Sequence, residues 1–146
     1  MAHIFKSVTE MKKFLDVACN KAVENACNRL LGKLQEFIMS EYYDVYEPTK
    51  YERTEQFYKS AMTEMLSITC GQIFMNPDKM NYPFSGRGWS WDGATQIYEA
   101  NQGSHGGWTT EESKKHRYWD TFESYCETHA LKILKQELKA QGLDIR

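Results

Sequence analysis

The stretch that decides the fold runs from Ser7 to Ser40, SVTEMKKFLDVACNKAVENACNRLLGKLQEFIMS. Ser7 and Glu10 form the S-x-x-E pattern of a capping box, in which both side chains accept backbone N–H groups at a helix start. No proline interrupts the pattern. Its apolar residues recur every three or four positions, which predicts one long amphipathic helix over roughly residues 7–40: Val8, Met11, Phe14, Leu15, Ala18, Ala22, Val23, Ala26, Leu30, Leu31, Leu34, Phe37 and Ile38.

This apolar stripe favours one of two packing modes. A helix with one apolar face usually packs that face on a sheet, and this is the interpretation that we prefer. A coiled-coil zipper is the alternative, although the stripe drifts around the helix and contains many alanines.

Length, charge and cysteine content restrict the class of protein. The 146 residues suit a single domain spanning residues 1–146. The net charge of −2 argues against a nucleic-acid-binding surface, which would show a basic excess. No apolar run approaches a membrane span, and the first residues lack the apolar core of a secretion signal. We therefore expect no membrane partner and four reduced thiols: Cys19, Cys27, Cys70 and Cys126.

A second helix is predicted near the C-terminus, at about residues 115–141. Its apolar residues again follow helical spacing. Gly142 suits the position just after the helix, where the backbone often adopts a left-handed conformation. Lys135 and Lys139 would favour the negative end of the helix dipole.

The middle of the chain mixes strand, loop and short-helix signals. The β-branched and aromatic residues of Thr63–Met75 predict a strand. Asp92 can cap a short helix from Gly93 to about Ala100, and a glycine-rich turn follows at 101–107. We therefore expect an α+β fold, with a long N-terminal amphipathic helix and a C-terminal helix packed on a small antiparallel β-sheet.

Two groups of residues could indicate an enzyme or a metal site, but for each we prefer a simpler structural explanation. His105 with Cys70 or Cys126 would suggest a cysteine peptidase, but core cysteines and a turn histidine explain the same residues. His105, His116 and His129 match no metal-ligand spacing, and a single buried hydrogen bond explains His129. The chain is expected to be a binding or structural protein and not an enzyme.

Three tryptophans leave a sugar- or peptide-binding module open as an alternative. Trp89, Trp91 and Trp108 could form an aromatic platform for such a ligand. The competing interpretation is that these rings cover a small sheet or lie in a subunit contact.

The segment after the long helix, YYDVYEPTKYERT at 42–54, is too aromatic for a linker and too polar for a core. Pro48 fixes its own φ and favours extended backbone at Glu47, so the helix should end before it. Tyrosine combines a large apolar face with a hydroxyl, which suits half-solvated contact surfaces. Arg53 can bind a carboxylate with two hydrogen bonds. The segment orders a turn or contributes to a subunit contact.

In order and spacing, these features resemble the small neck or tail-completion proteins of long-tailed bacteriophages, also called minor tail or head–tail joining proteins. The resemblance covers about residues 7–142, and Gly103-Ser104-His105-Gly106 is similar to the family's Gly-x-His-Gly turn. Relatives often have Gly and Leu after Arg-Thr, where this chain has Glu55, Gln56 and Phe57. The family's Tyr-x-x-Tyr-x-Pro-x-x-Tyr-x-Arg-Thr pattern is matched by Tyr43, Tyr46, Pro48, Tyr51, Arg53 and Thr54.

The resemblance implies a non-catalytic structural protein of the phage neck or tail, without cofactor or metal. Its partners would be connector, terminator or tube subunits, and it would form a homo-oligomeric ring in the particle after assembly in the host cytoplasm. No specific nucleic acid is expected. The matched tyrosine-segment residues, together with Gly103, His105 and Gly106, would contact protein or order turns.

Overall fold

The computed structural model describes residues 4–45, 55–80, 92–104 and 109–143. In chain order its helices and strands are α1 (Val8–Ile38), α2 (Gln56–Ser60), β1 (Ala61–Ser67), β2 (Cys70–Met75), α3 (Gly93–Asn101) and α4 (Tyr118–Ala140). The two strands form one antiparallel sheet. The predicted α+β class, with its long N-terminal helix, C-terminal helix and small sheet, is confirmed. Among the described residues, no helix is both long enough and apolar enough to cross a bilayer.

The long helix begins where the capping box predicts. The Glu10 N–H donates to Ser7 Oγ at 3.1 Å, as an N-cap requires. The Glu10 carboxylate accepts the Lys6 N–H at 2.8 Å, so the reciprocal half of the box closes one residue earlier than in the standard pattern. At its other end α1 continues into a π-helical turn, Met39–Tyr43.

The prediction of a single strand over Thr63–Met75 is wrong in one respect, because the segment contains two strands joined by a hairpin turn. Ile68 and Thr69 form the turn between β1 and β2. Neither residue is a usual turn former, so the local sequence hid the reversal. The Thr69 N–H donates to Ser67 Oγ at 3.3 Å, and Thr63 Oγ1 donates across the hairpin to the Gln72 carbonyl at 2.9 Å.

Glycines close α3 and α4 in the same way. Gly103 and Gly142 have φ of +80° and +83°. The Gly103 and Ser104 N–H groups donate to the Ala100 and Glu99 carbonyls, at 3.1 and 2.9 Å. Gly142 and Leu143 repeat this pattern after α4. Both ends are Schellman motifs, and the prediction for Gly142 is confirmed.

The predicted cap of α3 is also present. Asp92 Oδ1 accepts the Thr95 N–H at 2.8 Å, and Oδ2 accepts the Thr95 hydroxyl at 3.0 Å. These bonds hold the pKa of Asp92 below its usual value, because they stabilise the carboxylate.

The chain divides into two compact units, and α1, α4 and both strands contribute to each. Unit 1 comprises residues 1–30, 63–73 and 125–146, and unit 2 comprises residues 31–62 and 74–124. The prediction of a single domain over residues 1–146 stays a prediction. In unit 1 the buried apolar residues are Ala18, Ala22, Ala26, Cys27, Leu30 and Ile133.

Unit 1 packs α1 directly on the hairpin. A Cβ added to Gly71 of β2 would lie 2.5 Å from Cys27 Sγ and 3.4 Å from Val23 Cγ1, so the strand backbone lies against the helix. On α1, Arg29 Nη1 donates to Glu137 of α4 at 2.7 Å, and Asn25 Nδ2 donates to the same carboxylate at 3.2 Å. The expected packing of the apolar stripe on a sheet is therefore present in this unit.

Candidate protein-contact site

A row of aromatic rings forms the centre of unit 2. The Tyr42 ring lies 4.6 Å from the Phe57 ring, and Phe57 meets Tyr118 edge-on at 5.1 Å. Trp119 and Phe122 continue the row along α4, with centroids 5.6 Å apart. Ring pairs at such distances each contribute about 0.5–1.5 kcal/mol beyond the area they bury. The row thus joins the π-helical turn after α1, helix α2 and the start of α4.

Tyr118 is, with Phe57, one of the two most deeply buried members of this row. It is 1% exposed, and its hydroxyl donates to the Ile97 carbonyl at 3.3 Å. Burial raises the pKa of Tyr118 well above its usual value, so its phenol stays protonated and serves as a structural donor.

Two tyrosines of the π-helical turn Met39–Tyr43 contact α2. The Asp44 N–H donates to the Met39 carbonyl at 2.8 Å, which gives a turn one residue wider than an α-helical one. In this arrangement the Tyr42 ring packs at a tilt against Phe57, while the Tyr43 hydroxyl accepts the Tyr58 N–H at 3.4 Å. The two flanks of segment 46–54 therefore meet.

An unusual backbone conformation marks the far flank of that segment. Glu55 has φ of +57° and ψ of 13°, in the left-handed region. A residue with a Cβ pays roughly 1–2 kcal/mol for this conformation, and such positions concentrate at functional or tightly constrained sites. Phe57, only 1% exposed, fixes α2 immediately after it. The left-handed turn at Glu55 therefore directly precedes the buried anchor of α2.

A histidine–carboxylate pair supports the near flank. His116 Nδ1 lies 2.7 Å from Glu41 Oε2, and both side chains are half-buried, at 27% and 24% exposure. Glu112 approaches the other ring nitrogen at 3.7 Å. The pair ties the π-helical turn to the residues just before α4, so a hydrogen bond and the aromatic contacts act on the same junction.

Gly103 lies elsewhere in unit 2, where α3 ends against the segment preceding α4. A Cβ on Gly103 would overlap the carbonyl oxygen of Ser113. Asn101 strengthens this contact, since its amide donates to Asp120 at 2.8 Å and its Oδ1 accepts the Trp119 N–H at 2.9 Å. Gly103 therefore allows the close approach of the two backbone segments, while its predicted contact or turn-ordering role stays a prediction.

Of the residues predicted to contact protein or order turns, the structure describes Tyr43 and Gly103. Tyr43 is 7% exposed, so its side chain lies in the interior of the junction. The other predicted residues lie outside the described part of the chain: Tyr46, Pro48, Tyr51, Arg53, Thr54, His105 and Gly106. Their contact role stays a prediction.

Sequence reasoning missed four residues of this junction. Tyr42 lay inside the quoted tyrosine-rich stretch but outside the matched pattern, while Phe57, His116 and Tyr118 are distant in sequence. The aromatic beginning of the C-terminal helix was the available signal for Tyr118. Nothing in the local sequence pairs His116 with Glu41, because 75 residues separate them.

The residues weighed for catalysis or metal binding have other surroundings. Cys70 is exposed at the start of β2 and Cys126 is half-buried on α4, while His105 lies outside the described residues. Burial raises the pKa of the Cys27 thiol, which disfavours the thiolate that a nucleophile needs. His129 stacks on Tyr125, and its Nδ1 lies 3.0 Å from the Tyr125 carbonyl. Within the described ranges, no cluster of three potential metal ligands occurs.

The tryptophans considered as a binding platform, Trp89, Trp91 and Trp108, also fall outside the ranges given above. The sugar- or peptide-binding alternative therefore stays a hypothesis.

Comparison with known proteins identifies the family. The junction and both long helices belong to a region, residues 5–140, that matches the model of the YomN family. The chain is a member of this family, because the match covers nearly its whole length. YomN is a phage-derived, Bacillus phage SPBc2-like family, so the protein is phage-associated. No curated protein and no solved structure matches the chain.

Proposed function

We propose that this phage-associated protein is a structural component of the virion neck or tail. It acts in tail completion or head–tail joining through protein–protein contacts in a ring assembly. In this proposal it has no catalytic activity, its partners are other neck and tail proteins, and it reaches the particle after assembly in the host cytoplasm.

One observation carries the proposal: the residues that flank segment 46–54 on either side meet at a single aromatic junction. The contact between the Tyr42 and Phe57 rings and the bond from the Tyr58 N–H to the Tyr43 hydroxyl hold the two flanks together. Segments of 6–16 residues with closely held ends are frequently functional. Tyrosine and arginine, which this segment contains, are enriched at protein interfaces.

Electron microscopy of lysates tests the particle role. The gene is disrupted in the parent phage, and wild type is supplied from a plasmid as the control. Filled heads lying apart from tails, or tails of abnormal length, are the expected result, and the defect shows which side of the junction fails. Normal infectious particles from the disrupted phage would refute the proposal.

Point variants test the segment itself. Tyr46→Ala and Arg53→Ala should block particle assembly while the purified proteins melt normally. Tyr98→Ala is the matched control, because Tyr98 lies on α3 in the same unit and is 63% exposed. If the Tyr46 and Arg53 variants unfold, or assemble as well as the Tyr98 variant, the segment is not a contact surface.

A further inference from the structure

One face of α4 in unit 1 is cationic over about two turns. Lys132, Lys135 and Lys139 are all exposed on it, and Leu131 is 66% exposed at its edge. Thr128 and Gln136 complete a shallow groove along the same face. The spacing of three and four residues places all these side chains on one side of the helix.

The lysines on this face repel one another. Lys132 and Lys135 are three apart and Lys135 and Lys139 are four apart, and like charges at these spacings repel. Within the described part of the chain, none of the three forms an ion pair. By contrast, Lys21 and Lys114 each pair with a carboxylate three residues away.

Glu137, which lies between Lys135 and Lys139 in the sequence, bonds to α1 and not to these lysines. Glu137 bonds to Arg29 at 2.7 Å and to Asn25 at 3.2 Å, so its charge is engaged by α1. Arg29 also donates to Gln136 at 3.0 Å, which brings a further cation to the edge of the face. The helix dipole favours a lysine in the last turn, and this accounts for Lys139 but not for Lys132, two turns earlier.

We propose that this face of α4 docks an acidic protein surface, with Leu131 as its apolar contact. Charge complementarity selects the partner, since carboxylates would relieve the repulsion among the three lysines. A protein is favoured over nucleic acid because the chain has a net charge of −2 and because the face includes an exposed leucine. The inference rests on the proposed function in one respect: the partner is another phage structural protein.

The test uses tagged full-length chain produced in phage-infected cells, with recovered proteins quantified by mass spectrometry. One variant carries Lys132→Glu, Lys135→Glu and Lys139→Glu. A second variant carries glutamine at the same three positions, which removes the charge without reversing it. It keeps the test interpretable if the glutamate variant fails to fold. The matched control carries Lys6→Glu, Lys12→Glu and Lys13→Glu, an equal charge change at exposed positions of the same unit. Circular dichroism checks that each variant is folded.

The expected result is that one partner falls by roughly tenfold or more with the glutamate variant and also declines with the glutamine variant. The control should retain it, and reversing the partner's acidic residues to lysine should restore binding to the glutamate variant. Equal recovery by wild type and both variants would overturn the proposal, as would failure of wild type to recover any partner that depends on these lysines.

Binding to a purified 24-base-pair DNA duplex tests the alternative that this face binds nucleic acid. The proposal that the face docks an acidic protein would be overturned if wild type binds the duplex in about 0.15 M salt and the glutamine variant does not. If charge reversal restores binding of a partner that is absent from purified particles, the neck or tail function is refuted, but the docking proposal is supported.

Discussion

Replacing Gly103 by alanine should destabilise the protein far more than the same change at Gly142. Both residues follow a helix in a Schellman motif, with φ of +80° and +83°. The left-handed conformation costs an alanine about 1–2 kcal/mol at either position. At Gly103 the structure also places a backbone carbonyl, that of Ser113, where the new Cβ would lie. Because backbone cannot rotate aside, the overlap adds about 1–3 kcal/mol, which gives a total of roughly 2–5 kcal/mol.

Urea unfolding followed by far-ultraviolet circular dichroism measures this difference. Gly142 is exposed, so Gly142→Ala reports the conformational cost alone and should lose about 1–2 kcal/mol. The comparison requires equal slopes of unfolding free energy against urea, since a changed slope signals a change in cooperativity or compactness. If the two variants differ by less than about 0.5 kcal/mol, the close approach of Gly103 to Ser113 is not present.

Three further predictions concern local backbone and pH. Gly32→Ala should raise the unfolding free energy by about 0.5–1 kcal/mol, because a Cβ there meets no atom within 4 Å in mid-helix; chemical denaturation measures it, and a loss would contradict it. Glu55→Gly should also stabilise, by roughly 0.5–1 kcal/mol, since relief of the left-handed strain exceeds the entropy cost of glycine; Glu55→Gln, which keeps the strain, is the control in the same assay. Asp92→Ala should lower the melting temperature most at neutral pH. The folded carboxyl has a depressed pKa, so its stabilisation exists above the unfolded pKa, near about 4, and is lost as pH falls through the folded value. Thermal melts at about pH 7 and pH 3 compare this variant with Asp92→Asn, and an unchanged difference between wild type and alanine variant would contradict the prediction.

Local signals predicted much of the fold. Ser7 and Glu10 gave the start of α1, Asp92 gave the start of α3, and Gly142 gave the end of α4. Each of these acts through hydrogen bonds within a few residues, so the information is contained in a short window of sequence. The hairpin turn at Ile68 and Thr69 was missed because pairing between β1 and β2, and not turn chemistry, fixes it.

The candidate site could be predicted only in part. Tyr43 and Gly103 were named from a pattern, and the structure gives each a packing role in unit 2. Phe57 and Tyr118 complete the junction from positions 61 residues apart, and no local rule joins such positions. The pairing of Glu41 with His116 has the same origin, because proximity across a fold depends on the packing of whole elements.

The sequence by itself therefore determined the α+β class, the two long helices and their caps, since periodicity and end signals are local properties of the chain. The tertiary structure alone decided that the flanks of segment 46–54 meet, that Glu55 occupies a left-handed conformation, and that Glu137 is drawn to α1. These features depend on side chains brought together by burial and charge. The same packing leaves the lysines of α4 without intramolecular partners among the described residues, where an acidic surface can bind.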